Sequence, residues 1–200
     1  TPPGSKDSFG TVGICLENYQ LRIVDDNNIE LGEGEVGEIQ IKGPSLFNGY
    51  WRSPQKTESE FTADKWFKTG DIGYLNKKKY LSIVGRAKDM IITGGYNVYP
   101  KEIENLIQKF SDVSEVAVVG VPHHDFGEAV VAVVVPDSDN DIDTNEIRNT
   151  LKTQLANYKI PKYFFLVNEL PRNAMGKIQK NIIRDNLINK TEINALIAKN

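Results

Sequence analysis

Three segments of the sequence carry side chains whose types and spacing could support chemistry. The first is KTGDIG at 68–73, in which Asp71 has Gly70 before it and Gly73 two residues after it. Glycines lack a Cβ and let the backbone approach a ligand closely. An ionised aspartate accepts two hydrogen bonds, which suits the two hydroxyls of a ribose. The alternative, which this segment alone favours, is a surface turn that contains an aspartate.

The second segment, GRAKDMIITGGYNVYP at 85–100, joins two halves of different character. It places a permanently charged guanidinium, Arg86, and a flexible cation, Lys88, at this junction. Gly94 and Gly95 follow, and both can adopt a positive φ that leaves their backbone open to a ligand. A connecting strand followed by an ordinary hairpin turn is the alternative.

The third segment, LPRNAMGKIQK at 170–180, ends a loop with Gly176 and Lys177 just before a predicted helix. It is not a phosphate-binding P-loop, because that pattern needs glycine at 171 and serine or threonine at 178, where this chain has Pro171 and Ile178. A lysine at a helix start opposes the helix dipole. Lys177 therefore invites a functional explanation, and a basic helix start without a function is the alternative.

The histidines are weaker candidates. His123 and His124 are adjacent, so they cannot chelate one metal ion from a helix face, and no cysteine or carboxylate cluster completes a site in the sequence. We therefore interpret them as loop residues that follow Val121 and Pro122, and we predict no metal site. No spacing indicates a Ser/His/Asp triad either.

The composition is that of an ordinary globular protein, with 200 residues, 40% hydrophobic and 26% charged. A net charge of −3 disfavours nucleic acid as a partner, because proteins that bind nucleic acid present a basic patch.

Cys15 is the one cysteine and cannot form an internal disulfide, which favours a reducing compartment. Its neighbours Ile14 and Leu16 predict a buried strand. No run reaches the roughly 18 apolar residues of a membrane span.

The first 84 residues predict a small antiparallel β unit. Residues 36–42 alternate apolar and polar side chains with the period of a half-buried strand. Residues 21–24 form another predicted strand, and the Asp- and Asn-rich 25–28 that follow predict a hairpin turn. A third strand is expected at 80–84.

The pattern after Gly85 changes to alternating strands and helices. Apolar residues at 103, 106, 107 and 110 share one helical face and predict a helix over 100–110. Asp143 can cap a second helix, with Glu146 three residues on as in a capping box. The remaining expectations are strands at 116–121, 129–135 and 163–167 and helices at 179–188 and 191–198. We therefore predict an α+β chain, with a small antiparallel β subdomain followed by a compact α+β domain.

Taken together and in order, these segments resemble the ANL superfamily of adenylate-forming enzymes. FKTGD at 67–71 is similar to its ribose-binding motif, and GRAKDMIITGGYNVYPKEIE at 85–104 is similar to its hinge and pantetheine-tunnel motif. LPRNAMGK at 170–177 resembles its terminal lysine motif, and Gly49-Tyr50-Trp51 resembles a motif ahead of the hinge. The resemblance covers nearly the whole chain, and the ordered set is far more specific than any one motif.

Within the superfamily, GGYNVYPKEIE, GVPHHDFGEAV and ELPRNAMGKIQKNIIR look most like malonyl-CoA synthetases, which join malonate or methylmalonate to coenzyme A. The resemblance implies a division into 1–84, the C-terminal β part of an AMP-binding N-terminal domain, a hinge at 85–89, and a mobile C-terminal domain at 90–200. The chain is then expected to begin in mid-domain.

The resemblance also implies roles for individual residues. Asp71 would hold the ribose hydroxyls of ATP, and Arg86 would assist at the ribose and phosphate. Lys88 occupies the hinge position, where a rotation would exchange an adenylation state for a thioester-forming state. Lys177 would reach the acid carboxylate and the α-phosphate in the first state.

In the second state, Gly94, Gly95 and Tyr96 would lie by the pantetheine channel. The implied partners are ATP, Mg²⁺, coenzyme A, a small carboxylic acid and the remainder of the N-terminal domain. The family's phosphate loop and its aromatic-Gly-x-Thr-Glu motif do not occur in this chain. ATP and Mg²⁺ would therefore bind mainly outside it, and we expect no turnover by these 200 residues alone. A cytoplasmic location is expected, with an organellar one as the alternative.

Three other functions stay open at this point. Another acyl-CoA synthetase shares similar stretches, and an adenylation domain that loads a carrier protein also uses a pantetheine thiol. The absence of an attached carrier domain favours free coenzyme A. A binding module that has lost catalysis is the non-enzymatic alternative, and the presence of Asp71, Arg86 and Lys177 argues against it.

Overall fold

The computed structural model describes residues 10–137 and 142–189, and the chain divides into two compact units, Thr1–Lys88 and Asp89–Asn200. The division falls between Lys88 and Asp89, within the segment 85–89 that the sequence analysis proposed as a hinge. Rotation about that segment stays a prediction.

The first unit is built on a four-stranded antiparallel sheet in the order β1-β2-β3-β4. Its strands are β1 (Gln20–Val24), β2 (Gly37–Lys42), β3 (Phe67–Leu75) and β4 (Leu81–Arg86), and a short helix α1 (Pro54–Glu60) precedes β3. The predicted antiparallel β unit is confirmed. β3, which carries Asp71, and α1 were not predicted.

The alternation in β2 does not place every polar side chain in solvent. Ile39 is buried as expected, but Gln40 next to it is also fully buried. The ladder shifts register between Glu38 and Gln40, so the two faces do not alternate regularly there. Arg22 Nε donates to Gln40 Oε1 at 2.9 Å, and Gln40 Nε2 donates to Asn28 Oδ1 at 2.8 Å. These partners satisfy the amide and make its burial tolerable.

The prediction that Cys15 lies in a buried strand is wrong. Cys15 is exposed, and its neighbours Ile14 and Leu16 are 52% and 72% exposed. The segment is joined to β4 through a single isolated bridge between Gly13 and Leu81, so it lies at the sheet edge with its apolar side chains uncovered. Val12 is also exposed, at 60%. An uncovered row of aliphatic side chains is typical of a surface that packs against another part of a protein.

The second unit is an α+β domain, as predicted. Its elements are β5 (Ile91–Thr93), β6 (Tyr96–Val98), α2 (Pro100–Ile107), β7 (Val113–His123), β8 (Gly127–Pro136), α3 (Thr144–Lys152), β9 (Tyr163–Leu166) and α4 (Lys180–Ile188). The predicted helix at 191–198 lies outside the described residues. Within the described ranges, no helix has both the length and the apolar character needed to cross a bilayer.

The sheet of the second unit has the order β6-β5-β8-β7, and β9 pairs with β8. The long hairpin of β7 and β8 is antiparallel over its length, whereas β9 runs parallel to β8, which the sequence analysis did not foresee. Helix α2 ends at Ile107 rather than at the predicted residue 110.

The β7–β8 hairpin is covered on both faces. On one face its valines pack with α2 and α3, whose buried side chains include Ile103, Ile107, Ile147 and Leu151. On the other face they pack with Leu170 and with Ile183 and Leu187 of α4. Burial on both faces explains why 116–121 and 129–135 read as nearly continuous apolar runs instead of alternating.

We predict that Leu151→Ala destabilises the second unit by about 2–5 kcal/mol, because it removes buried methyl groups and leaves a cavity in the core. Leu151 is fully buried in α3. Native-state hydrogen exchange of the β7 and β8 amides measures the loss.

Leu166→Ala is the matched control, since Leu166 on β9 is 48% exposed. The same chemical change there should cost about 0.5 kcal/mol or less. Equal losses for the two variants would contradict the packing described above.

Candidate functional site

Asp71 and Arg86 form an ion pair in the first unit. They are opposite residues of β3 and β4, and Arg86 Nε lies 2.9 Å from Asp71 Oδ1. Arg86 NH1 also donates to the backbone oxygen of Thr69 at 3.0 Å. The sequence analysis placed both residues at one ribose and phosphate, and the strand register brings their side chains together.

The carboxylate of Asp71 is held at an irregular point of the sheet. Gly70 has a φ of +69°, in the left-handed region that a side chain disfavours. Thr69 Oγ1 accepts from the Asp71 amide at 3.1 Å, which fixes the turn of the backbone. The Arg86 pair engages Oδ1, and among the described residues Asp71 Oδ2 has no hydrogen-bond partner. That oxygen is available to accept hydrogen bonds from a diol.

Lys88 lies in a single 3₁₀ turn, Ala87–Asp89, directly after β4, and it is exposed. The turn is short and contains no buried residue. A change in φ and ψ at this position would therefore disturb little packing within the turn itself.

Gly94 and Gly95 form the two-residue turn between β5 and β6. Their φ angles are +57° and +81°, as a hairpin turn with positive φ at both central positions requires. A Cβ added to Gly95 would meet nothing within 4 Å, so the backbone conformation, not lack of space, accounts for glycine there. Both residues are exposed, which leaves their peptide groups accessible to a ligand.

The turn is anchored to the start of β8. The Gly94 amide donates to the backbone oxygen of Phe126 at 2.8 Å, and the Ile92 amide donates to Glu128 Oε2 at 2.8 Å. The other oxygen of Glu128 accepts from Arg184 NH2 of α4 at 2.8 Å. A charged acceptor strengthens such a bond, so Glu128 fixes the position of this turn.

Aromatic contacts surround the same turn. Tyr96 stacks on Tyr158, with ring centroids 4.5 Å apart, and Lys162 Nζ lies 3.8 Å from the centroid of Phe126. The sequence analysis assigned Tyr96 to this region but missed Tyr158, Lys162 and Phe126. These three residues lie 32 or more positions from Gly94 along the sequence, and only the fold brings them close to it. No local sequence pattern therefore indicates their proximity.

Lys177 stands in a tight hydrogen-bonded loop. Asn173 Oδ1 accepts from the amides of Met175 and Lys177, both at 3.0 Å, and the Asn173 amide donates to the Lys177 oxygen at 3.0 Å. Gly176 has a φ of +76°, which the turn requires. The side chain of Lys177 is exposed. The loop therefore fixes the backbone of Lys177 and leaves its ammonium free to reach an anion in solvent.

Lys177 lies just before a helix, as predicted, and it is outside the first turn of that helix. Helix α4 begins at Lys180, three residues later, and Lys177 does not oppose the helix dipole. The lysine in the first turn is Lys180, and its Nζ lies 2.6 Å from Glu104 Oε1. Glu104 is buried and also accepts from the Val118 amide at 2.9 Å.

His123, His124 and Asp125 form the one group in the described ranges whose side chains approach a metal-binding arrangement, with ligand atoms within 4.8 Å of one another. The sequence analysis had not counted Asp125 with the histidines. Their groups are already engaged: the Asp125 amide donates to His123 Nδ1 at 3.2 Å, and His124 Nε2 lies 3.0 Å from Asp125 Oδ2. The two rings stack instead of converging on a point, so we assign no metal to this group.

We predict that Glu128→Ala loosens the Gly94–Gly95 turn, because the Ile92 amide loses a charged acceptor. A hydrogen bond to a charged group contributes about 1.5–3 kcal/mol, so exchange of the peptide spanning 90–97 should speed up by about tenfold or more. Hydrogen–deuterium exchange with mass spectrometry measures the exchange rate of this peptide.

Glu146→Ala provides the control for that experiment, since Glu146 is an exposed carboxylate in the first turn of α3. It should leave exchange of 90–97 unchanged. Unaltered exchange in Glu128→Ala would show that Glu128 does not hold the turn.

Comparisons with known proteins match both units. The family model described as AMP-binding enzyme C-terminal domain matches residues 102–177, and the model described as AMP-binding enzyme matches residues 1–51. Indoleacetate–CoA ligase of Aromatoleum aromaticum is 40% identical over 190 residues, which cover 95% of this chain and 37% of the relative.

Two solved structures are similar over most of the chain. ATP-bound MatB from Rhodopseudomonas palustris has a TM-score of 0.84 and 49% identity, over 90% of this chain and 36% of that protein. The o-succinylbenzoate CoA synthetase of Bacillus subtilis, in complex with the acyl-adenylate intermediate OSB-AMP, has a TM-score of 0.84 and 34% identity, over 90% and 36%. The chain thus spans just over a third of the length of these proteins. It belongs to the ANL superfamily of adenylate-forming enzymes, in the acyl-CoA synthetase branch.

Proposed function

We propose that this chain is the C-terminal part of an AMP-forming acid–CoA ligase. In the first step, a carboxylate attacks the α-phosphate of ATP, giving an acyl-adenylate and pyrophosphate. In the second step, the thiol of coenzyme A attacks the acyl carbon, giving a thioester and AMP. The observation that carries the proposal is the exposed Lys177, presented by a loop whose backbone is fixed by Asn173.

The first step needs a cation between two anions. The carboxylate and the triphosphate repel one another, and negative charge accumulates on the oxygens around the α-phosphorus in the transition state. A preorganised ammonium at that point lowers the barrier, since it costs little reorganisation at the moment of reaction. Lys177 supplies this group in the proposal.

Asp71 and Arg86 would bind the nucleotide in that step. The free Oδ2 of Asp71 can accept hydrogen bonds from both ribose hydroxyls, and Arg86 keeps the carboxylate oriented. Arg86 also presents a positive charge on the same side for a phosphate. Since Asp71 is committed to this pair, we place the ligands of the Mg²⁺ that accompanies ATP elsewhere in the protein.

The second step would use the Gly94–Gly95 turn. Its exposed peptide groups and the adjacent Tyr96 ring can lie along a narrow pantetheine chain without a side chain in the way. Lys177 and this turn serve different steps, so the second unit would be presented in two orientations by rotation at Lys88.

The remainder of the N-terminal domain is the proposed partner of the first unit. Its row of Val12, Ile14 and Leu16 is an apolar surface that water would otherwise cover, and Trp51 is a further exposed apolar side chain, at 85%. This chain covers only 37% of the indoleacetate ligase and 36% of MatB, which leaves room for a domain that covers this row and supplies the acid and phosphate pockets.

We propose malonate or methylmalonate as the acid. Support comes from the 49% identity with MatB, a malonyl-CoA synthetase, compared with 34% for the o-succinylbenzoate enzyme of Bacillus subtilis over the same 90% share of this chain. No residue of this chain is assigned to the acid pocket, so the acid is tested on the whole protein.

We predict that Lys177→Ala in the whole protein lowers acid-dependent ATP–pyrophosphate exchange by about 10²–10³-fold, as loss of a single transition-state donor does. Transfer of a supplied acyl-adenylate to coenzyme A should stay within about twofold, because Lys177 has no part in that step of the mechanism.

Lys152→Ala, which removes an exposed lysine at the end of α3, should leave both partial reactions unchanged. Undiminished pyrophosphate exchange in Lys177→Ala would refute the proposed role of this side chain. Equal loss of both partial reactions would point to misfolding.

For the acid, we predict that malonate and methylmalonate give the highest kcat/KM in a panel of mono- and dicarboxylic acids with ATP and coenzyme A, scored by AMP release. A preference for a monocarboxylate would exclude the malonate assignment and leave the ligase proposal intact. Preference for a carrier-protein thiol over coenzyme A would identify a loading domain instead.

A further inference from the structure

We infer that Arg172 and Glu115 are positioning residues for adenylation, which fix the loop of Lys177 relative to the sheet of the second unit. The inference rests on the proposed function of Lys177. It concerns two side chains that the sequence analysis did not select and that do not themselves approach a reacting atom in the proposed mechanism.

The guanidinium of Arg172 joins the loop to a strand. Its NH1 donates to the backbone oxygen of Gly176, the residue directly before Lys177, and its NH2 donates to Glu115 Oε1 at 2.7 Å. The backbone of Arg172 forms an isolated bridge with Ile178, on the other side of Lys177. Arg172 therefore contacts the loop on both sides of Lys177, at Gly176 and at Ile178.

Glu115 lies on a rigid support. It belongs to β7, where it is paired with Val135 of β8, and its neighbours Val116 and Ala117 are buried. Arg172 thus connects the loop to a hairpin whose side chains are largely buried. The Asn173 bonds fix the loop internally, but they do not fix its direction relative to the sheet.

Stability alone does not account for this pair. The side chains of Arg172 and Glu115 are 42% and 35% exposed, and ion pairs at such sites contribute little to folding. What the pair supplies is geometry. The donors of a planar guanidinium point at fixed angles, so Arg172 holds its two acceptors, the Gly176 oxygen and Glu115 Oε1, in one relative position. A lysine ammonium has no such fixed geometry.

A second anchor holds the other end of the loop. Lys180 Nζ contacts Glu104 Oε1, and Glu104 is buried against the Val118 amide. A groove of about 270 Å³ lies between the two ion pairs. Leu170 and Ile178 pack against the core at the two ends of the loop. With Arg172 or Glu115 removed, the loop would stay attached through these residues and Lys180, but the turn at 173–177 could pivot between them, and Lys177 would lose its fixed direction.

The effect should be confined to one step. Displacement of a catalytic group by about 1 Å can lower a rate by about 10²-fold. The Gly94–Gly95 turn, proposed for the thioester step, is anchored through Phe126 and Glu128 and shares neither Arg172 nor Glu115. Loss of the pair should therefore slow adenylation and spare thioester formation.

The test uses Arg172→Lys, Arg172→Ala and Glu115→Gln in the whole protein. We expect kcat for acid-dependent ATP–pyrophosphate exchange to fall by about tenfold or more in each. The KM for ATP, transfer of a supplied acyl-adenylate to coenzyme A and the thermal midpoint should change little. Glu146→Gln removes an exposed carboxylate charge of α3 in the same way and should leave all these quantities unchanged.

A double-mutant cycle distinguishes positioning from a direct or purely structural role. If Arg172 acts through Lys177, Arg172→Ala should cost nothing further in a Lys177→Ala background. The inference is overturned if the cost is the same in both backgrounds, if both partial reactions fall together, or if adenylation is unchanged in all three variants. If Lys177→Ala itself leaves adenylation intact, the proposed function fails first, and the cycle shows this separately.

Discussion

The proposed adenylation depends on one constraint: a flexible, exposed ammonium must be presented in a fixed direction by a loop that has no core of its own. The Lys177 loop meets it with a left-handed Gly176 and with the side chain of Asn173, which ties the turn together. Arg172 then connects the loop to β7. The long side chain can move, but the point from which it extends cannot.

The β7–β8 hairpin is the common support for the two segments that we assign to different steps. Its valines are covered by helices on both faces, and such close packing resists deformation. The Lys177 loop is anchored on it through Glu115, and the Gly94–Gly95 turn through Thr93, Phe126 and Glu128. Because both are anchored on one hairpin, the Lys177 loop and the Gly94–Gly95 turn keep a constant separation. This suits a domain that would present first one and then the other to the bound substrate.

Periodicity and turn chemistry predicted the α+β class, most strands and helices, and the cap of α3 by Asp143, because these depend on neighbouring residues. The ordered motifs selected Asp71, Arg86 and Lys177 as site residues, and the roles of these residues stay predictions. The failures involve partners distant in sequence. Gln40 is buried because Arg22 and Asn28 satisfy its amide, and Glu115 and Arg172 are 57 residues apart. Cys15 was predicted to be buried from its apolar neighbours, but it is exposed, because none of the described residues packs over this segment.

The most direct test of the central claim is the structure of the whole protein with a non-hydrolysable acyl-adenylate analogue. The account predicts Lys177 Nζ within hydrogen-bond distance, about 2.7–3.2 Å, of an oxygen of the phosphate mimic or of the acyl group, with Asp71 on the ribose hydroxyls. A complex in which another cation occupies that position, while the Lys177 loop keeps its bonds to Arg172 and remains out of reach of the analogue, would contradict it.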